Sequence, residues 1–154
     1  MNQFQKLLAL TPYQWYLLIS AMILLPCIRL SLNISGFKKT YNRIIKPYLT
    51  DCTPTDPDTQ QIHQAKIVAR MIDIAAFHGI YRANCLPRSL LLMKTLKKRN
   101  IPCQLIIGAH DQASLNMNDF EAHAWVESGG NVLNDQSDIS TRFKVFPLPK
   151  GLLK

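Results

Sequence analysis

The hydrophobic period of this chain changes once, near Pro102, and that change limits the folds open to it. Upstream, apolar residues recur at helical steps of three and four. Ile62, Ala65, Ala69, Ile72 and Ala76 form one stripe, and Leu86, Leu90, Met93 and Leu96 form another. Downstream the period is two: residues 103–109 (CQLIIGA), 122–127 (AHAWVE) and 131–135 (NVLND) read as strands. Helices followed by sequence-adjacent strands predict an α+β fold with an antiparallel sheet. At 154 residues the chain has room for one well-buried core.

Local signals sharpen the boundaries. A helix over 59–78 is capped by Asp58 or Thr59 and stopped by Gly79. The next helix starts at Asn84 or Cys85, tolerates Pro87 in its first turn, and collects Lys94, Lys97, Lys98 and Arg99 toward its C-terminus before Asn100 and Pro102 end it. Residues 110–119 form a polar loop, and a last strand is expected over 144–148. The N-terminal third reads differently. No charge occurs from Leu7 to Ile28, yet Pro12, Gln14, Ser20 and Pro26 interrupt the run. Its densest part, Trp15 to Leu25, is about half the roughly 20 residues a membrane span needs. It predicts a buried or partner-facing helix, then a turn near residues 33–36 and a short basic helix ending before Pro47. A membrane helix is the alternative, with Arg29, Lys38 and Lys39 just after it suited to the cytoplasmic side, and peripheral contact with the inner face of a membrane is a further use of such a segment. The expected organisation is an N-terminal hydrophobic and basic helical region (1–50), a linker rich in Pro, Thr and Asp (51–59), and a core (60–154).

The net charge of +8 is dispersed, with no aromatic interleaving and no finger or helix-turn-helix pattern, so nucleic acid is not an expected partner. Four cysteines without a CxxC pair argue for reduced thiols and a cytoplasmic protein. Cys27 and Cys103 lie in apolar segments and read as structural, while Cys52 lies in the linker. Cys85 is different, because it opens a helix. The thiolate is the reactive form of cysteine, and the free N–H groups and dipole of a helix start favour negative charge. His123 lies mid-strand. If residues 128–130 form a three-residue turn, His123 is paired with Asp135, close enough for a carboxylate to hold an imidazole N–H. Cys85, His123 and Asp135 then have the residue types of nucleophile, general acid/base and orienting acid. Trp125, on the same strand face as His123, would shield the pair. His63, His78 and His110 have no comparable partner. A zinc site from Cys85, Cys103, His110 and His123 lacks the short ligand spacings of structural sites, so no metal or cofactor is expected.

The segments NCLPRSLLL, RNIPCQLIIGA, EAHAWVE and VLND, in that order over about residues 62–143, resemble the transglutaminase-like leader peptidases of lasso-peptide biosynthesis. The resemblance implies a papain-like core with Cys85 as nucleophile, His123 as acid/base and Asp135 as orienting residue. It implies removal of the leader from a ribosomally made precursor, with a lasso cyclase as downstream partner. No strand-rich leader-recognition module is legible before Cys85, which resembles the split arrangement in which a separate leader-binding protein delivers the substrate. A transglutaminase or amide hydrolase on the same core, or a non-catalytic membrane-associated scaffold, are the alternatives.

Overall fold

The computed structural model describes residues 10–48, 56–79, 82–110 and 122–146. Cys52, the rest of the linker through Thr55, the loop after His110 and the stretch from Pro147 onward lie outside the described residues.

Helix α1 (Pro12–Ile44) begins with a capping box: Thr11 Oγ1 accepts from the Gln14 N–H, and Gln14 Oε1 accepts from the Thr11 N–H. It is much longer than the dense apolar run suggests. Pro26 lies inside it without ending it, and the flanking Leu25 and Ile28 are both buried. A mid-helix proline costs about 3 kcal/mol, which the burial of two such residues offsets at roughly 1.5–3 kcal/mol each. The expected turn is there as a break at Gly36, whose φ of 71° is left-handed. Beyond it the chain folds back enough for Ser31 and Thr40 to share a hydroxyl hydrogen bond of 3.0 Å. A 3-10 turn, Lys46–Tyr48, follows.

Helix α2 (Thr59–His78) is capped by Asp58, whose carboxylate accepts from the Gln61 N–H at 2.7 Å. Helix α3 (Cys85–Lys97) has Asn84 in the cap position with extended backbone, but Asn84 makes no side-chain capping bond. Its other end is closed by Asn100, which takes a left-handed φ of 56° while Ile101 N–H reaches back to Leu96 O.

Strands β1 (Gln104–His110), β2 (Ala122–Ser128), β3 (Asn131–Val132) and β4 (Phe143–Phe146) form an antiparallel sheet in the order β3-β2-β1-β4, with the single-turn helix α4 (Ile139–Arg142) between β3 and β4. The α+β class predicted by the change of period is the one observed. α1 packs on α2 and α3, and α3 packs on β2 and β1. Leu25, Val68, Met71, Leu90, Leu92 and Leu96 fill the main core together with Ala124 and Val126 from β2. Trp125 points into a smaller cluster with Ile139 and Phe143. The alternation of β2 therefore serves two apolar clusters.

The β2–β3 turn differs from the expectation. Ser128 pairs with Asn131 and Glu127 with Val132, so the turn has two residues, Gly129 and Gly130, both at positive φ. Two left-handed positions match the turn that best follows the twist of a tight hairpin. An added Cβ at Gly129 would meet Pro57 Cγ at 2.8 Å, whereas one at Gly130 would meet none of the described residues within 4 Å. Gly130→Ala should then cost only the backbone strain, about 1–2 kcal/mol, and Gly129→Ala distinctly more. Urea midpoints for the two variants measure the difference, and equal midpoints would show that the Pro57 contact is not limiting.

Candidate active site

A two-residue turn puts Asp135 out of line with His123 if the ladder continues. The ladder does not continue. Leu133 N–H still reaches Val126 O at 3.0 Å, but the Val126 N–H turns to the side-chain oxygen of Asn134 at 2.9 Å. Asn134 thus replaces a backbone partner with its own amide, and β3 stops at Val132. The bends at residues 133–135 then carry Asp135 round to His123. His123 Nε2 lies 2.6 Å from Asp135 Oδ2. The two residues meet as expected, through an interrupted strand and not through the expected three-residue register.

Asp135 Oδ1 accepts from the Gln136 N–H at 2.8 Å, and Arg88 Nη2 lies 3.7 Å from Oδ2. Burial alone would push the Asp135 carboxyl up. The bonds from His123 and Gln136 and the charges of His123 and Arg88 outweigh that and hold it below its ordinary value. A carboxylate accepts and cannot donate, so the His123 Nε2 bears the proton of this bond. In the neutral ring the lone pair then sits on Nδ1, the nitrogen left to act as base. The Phe143 ring stacks on the imidazole at 5.2 Å between centroids, and the fully buried Trp125 lies at 6.3 Å. Trp125 lies beside His123 on the same strand face, as anticipated. Gly108, paired with His123 across β1, makes this packing possible: a Cβ there would lie 2.9 Å from Phe143 Cβ and 3.1 Å from Trp125.

Cys85 occupies the first position of α3 and is half-buried against the main core. One helical turn on, Ser89 Oγ donates to Ala124 O at 2.8 Å, the residue next to His123. That contact fixes the helix start beside the start of β2. Among the described residues the Cys85 thiol enters no hydrogen bond. The structure therefore brings His123 and Asp135 into contact, while Cys85, at the start of the helix that Ser89 ties to β2, makes no hydrogen bond to either. Cys103 packs on the core, where burial pushes its thiol up to about 11. Cys27 departs from the structural role expected of it, because it is exposed on α1.

A buried polar network that the sequence reading passed over ties these parts together. Arg88 donates to Asn134 O at 2.9 Å, and Asn134 Nδ2 donates to Ser89 Oγ at 2.9 Å. Arg88 also lies between Asp135 and Asp73, 3.5 Å from the latter, with its guanidinium over the Phe77 ring. Burial pushes the Asp73 carboxyl up to about 6, a rise that Arg88 only partly offsets. The signal for this network was present: Arg88 and Ser89 interrupt the apolar run after Cys85, and Asn134 interrupts VLND.

The sequence pattern of the Transglutaminase-like superfamily matches residues 27–147, which takes in α2, α3 and the whole sheet. The α+β core is thus a transglutaminase-like one with a hydrophobic helix at its N-terminal side. The Microcin J25-processing protein McjB of Escherichia coli is 37% identical over 70 residues, 45% of this chain and 31% of that relative. The shared stretch is under a third of the relative's length. No solved structure matches the chain.

Proposed function

The chain belongs to the Transglutaminase-like superfamily, and from that membership we propose that it is a cysteine peptidase that removes the leader from a ribosomally made lasso-peptide precursor. The observation that carries this reading is the 2.6 Å His123–Asp135 bond, walled by Phe143 and Trp125 and set beside a helix that opens with Cys85. The likeness to a protein named for processing microcin J25 supplies the substrate class.

In this reading Cys85 Sγ attacks the scissile carbonyl, and the thiol proton passes to His123 Nδ1. The imidazolium, stabilised by Asp135, then donates that proton to the departing amine as the C–N bond breaks. Water adds to the thioester with His123 as base, and Cys85 leaves. The Cys85 N–H, at the first position of the helix, has no intrahelical carbonyl to bond and is the natural donor to the oxyanion. A separate leader-binding protein delivers the precursor, and a lasso cyclase takes the freed core peptide. The reduced thiols suit a cytoplasmic setting.

The test is incubation with a candidate precursor, with and without its leader-binding protein, read by product mass. Leader and core fragments that together gain one water support the reading; an amine-linked product would make the chain a transglutaminase instead. Alkylation gives an independent check. At neutral pH iodoacetamide should label Cys85 fastest and leave Cys103 nearly untouched, with Cys27 labelled at the rate of an ordinary exposed thiol. Peptide mass spectrometry over a time course separates the sites. Labelling of Cys85 no faster than Cys27 would remove the case for an activated nucleophile.

A further inference from the structure

α1 is apolar on two sides. Leu17, Leu18, Ala21, Leu25 and Ile28 are buried against the other helices. On the opposite side Tyr16, Ile19, Ile23, Leu30 and Ile34 are all more than half exposed, Ile34 at 75%. Their spacing makes one continuous stripe, about 27 Å long at 1.5 Å per residue. An unbroken apolar ridge of that length is unusual on a surface that meets only water.

Charge marks what the ridge faces. Residues 1–50 hold six bases and no acid, so this third of the chain carries most of the net charge of +8. Lys38 and Lys39 are exposed just beyond the Gly36 break. Beside α1, a groove of about 370 Å³ has Leu17, Ala21 and Leu24 among its apolar lining and Lys94, Lys98 and Arg99 among its polar lining. Aliphatic residues flanked by cations, with Tyr13 and Trp15 exposed at the outer end, have the chemistry of a helix lying in a lipid headgroup layer. The helix is long and apolar enough to cross a membrane by length and composition. Crossing would strip its inner side from the core, which α2 and α3 need.

We propose that the outer face of α1 is a docking surface for an anionic lipid bilayer, on which the helix lies parallel to the membrane plane without spanning it. The aliphatic ridge sets depth, and the cations on and beside α1 select phosphate-bearing headgroups. α1 packs on α2 and α3, whereas His123 lies on β2 and Asp135 just beyond β3, so the docking face and the site are built on different elements.

The test uses the full chain with sedimenting vesicles of phosphatidylglycerol and phosphatidylethanolamine, against vesicles of phosphatidylcholine. Binding should be at least about tenfold stronger to the anionic vesicles and should fall with salt. Lys38→Glu/Lys39→Glu should lose most of the anionic preference, and Ile19→Gln/Ile23→Gln should lose binding while keeping the wild-type melting temperature. Alkaline carbonate should release the bound protein. Three results overturn the proposal: no sedimentation with anionic vesicles, equal binding by wild type and Ile19→Gln/Ile23→Gln, or resistance to carbonate. If vesicles fail and wild type self-associates in analytical ultracentrifugation while Ile19→Gln/Ile23→Gln does not, the face belongs to a second copy of the chain.

Discussion

Cys85→Ala should abolish precursor cleavage, with a loss in kcat of about 10⁴-fold or more, because no other group in the proposed site can form the acyl intermediate. The fold should survive. Cys85 is half-buried at the first position of α3, where its side chain makes no hydrogen bond among the described residues, so the melting temperature should stay close to wild type. His123→Ala should be nearly as damaging, since the same ring moves the proton in both half-reactions. Asp135→Ala should leave a slower enzyme, because the ring keeps its base but loses the group that fixes its tautomer. Losses in members of one catalytic unit do not add, so the Cys85→Ala/His123→Ala double variant should be no slower than Cys85→Ala alone. The measurement is product mass against time with wild type and the variants at equal concentration. Full activity in Cys85→Ala would sink the mechanism; a double variant far below the single one would show that the two residues act separately.

How much of this was legible beforehand depended on what each signal encodes. The change of period near Pro102 encodes which face of an element is buried, and it predicted helices followed by an antiparallel sheet. Caps are local chemistry, so the start of α2 at Asp58 and the end of α3 at Asn100 could be placed closely. The length of α1 could not be, because Pro26 is a breaker only until tertiary packing on either side outweighs it. The residues of the candidate site could be chosen by type, but the path that joins them could not. Local turn rules allow Ser128-Gly129-Gly130 or Gly129-Gly130, and only the packing of Gly129 against Pro57 and the side-chain bond from Asn134 distinguish the second. The contact between His123 and Asp135 was thus anticipated through a register the structure does not have. Phe143 was out of reach for a related reason: it joins His123 through β1, a strand away from β2 in the sheet.

Asn134→Ala should be the most damaging change outside the three residues proposed for catalysis, and it should act on stability and rate together. Asn134 is 4% exposed and uses both ends of its amide: Oδ1 accepts from the Val126 N–H, and Nδ2 donates to Ser89 Oγ. Truncation leaves the Val126 N–H buried without a partner, at about 1–3 kcal/mol, and removes the Ser89 bond for roughly 1 kcal/mol more. A loss near 3 kcal/mol in urea unfolding at pH 7 is the expected result. Rate should fall about as far as in Asp135→Ala, because the Asn134 amide is what ends β3 and turns Asp135 toward His123. A purely structural role would lower stability without this match. The pH dependence separates the two effects. The Asp135 carboxyl is held below its ordinary value, so its contribution to stability is present above the unfolded-state value and is lost as pH falls through the folded one. If Asn134→Ala frees Asp135 from His123, the stability gap between wild type and variant should narrow below about pH 4, where wild type loses that contribution too. A gap that stays constant from pH 7 to pH 3, with kcat unchanged, would mean that Asn134 holds the strand end and nothing more.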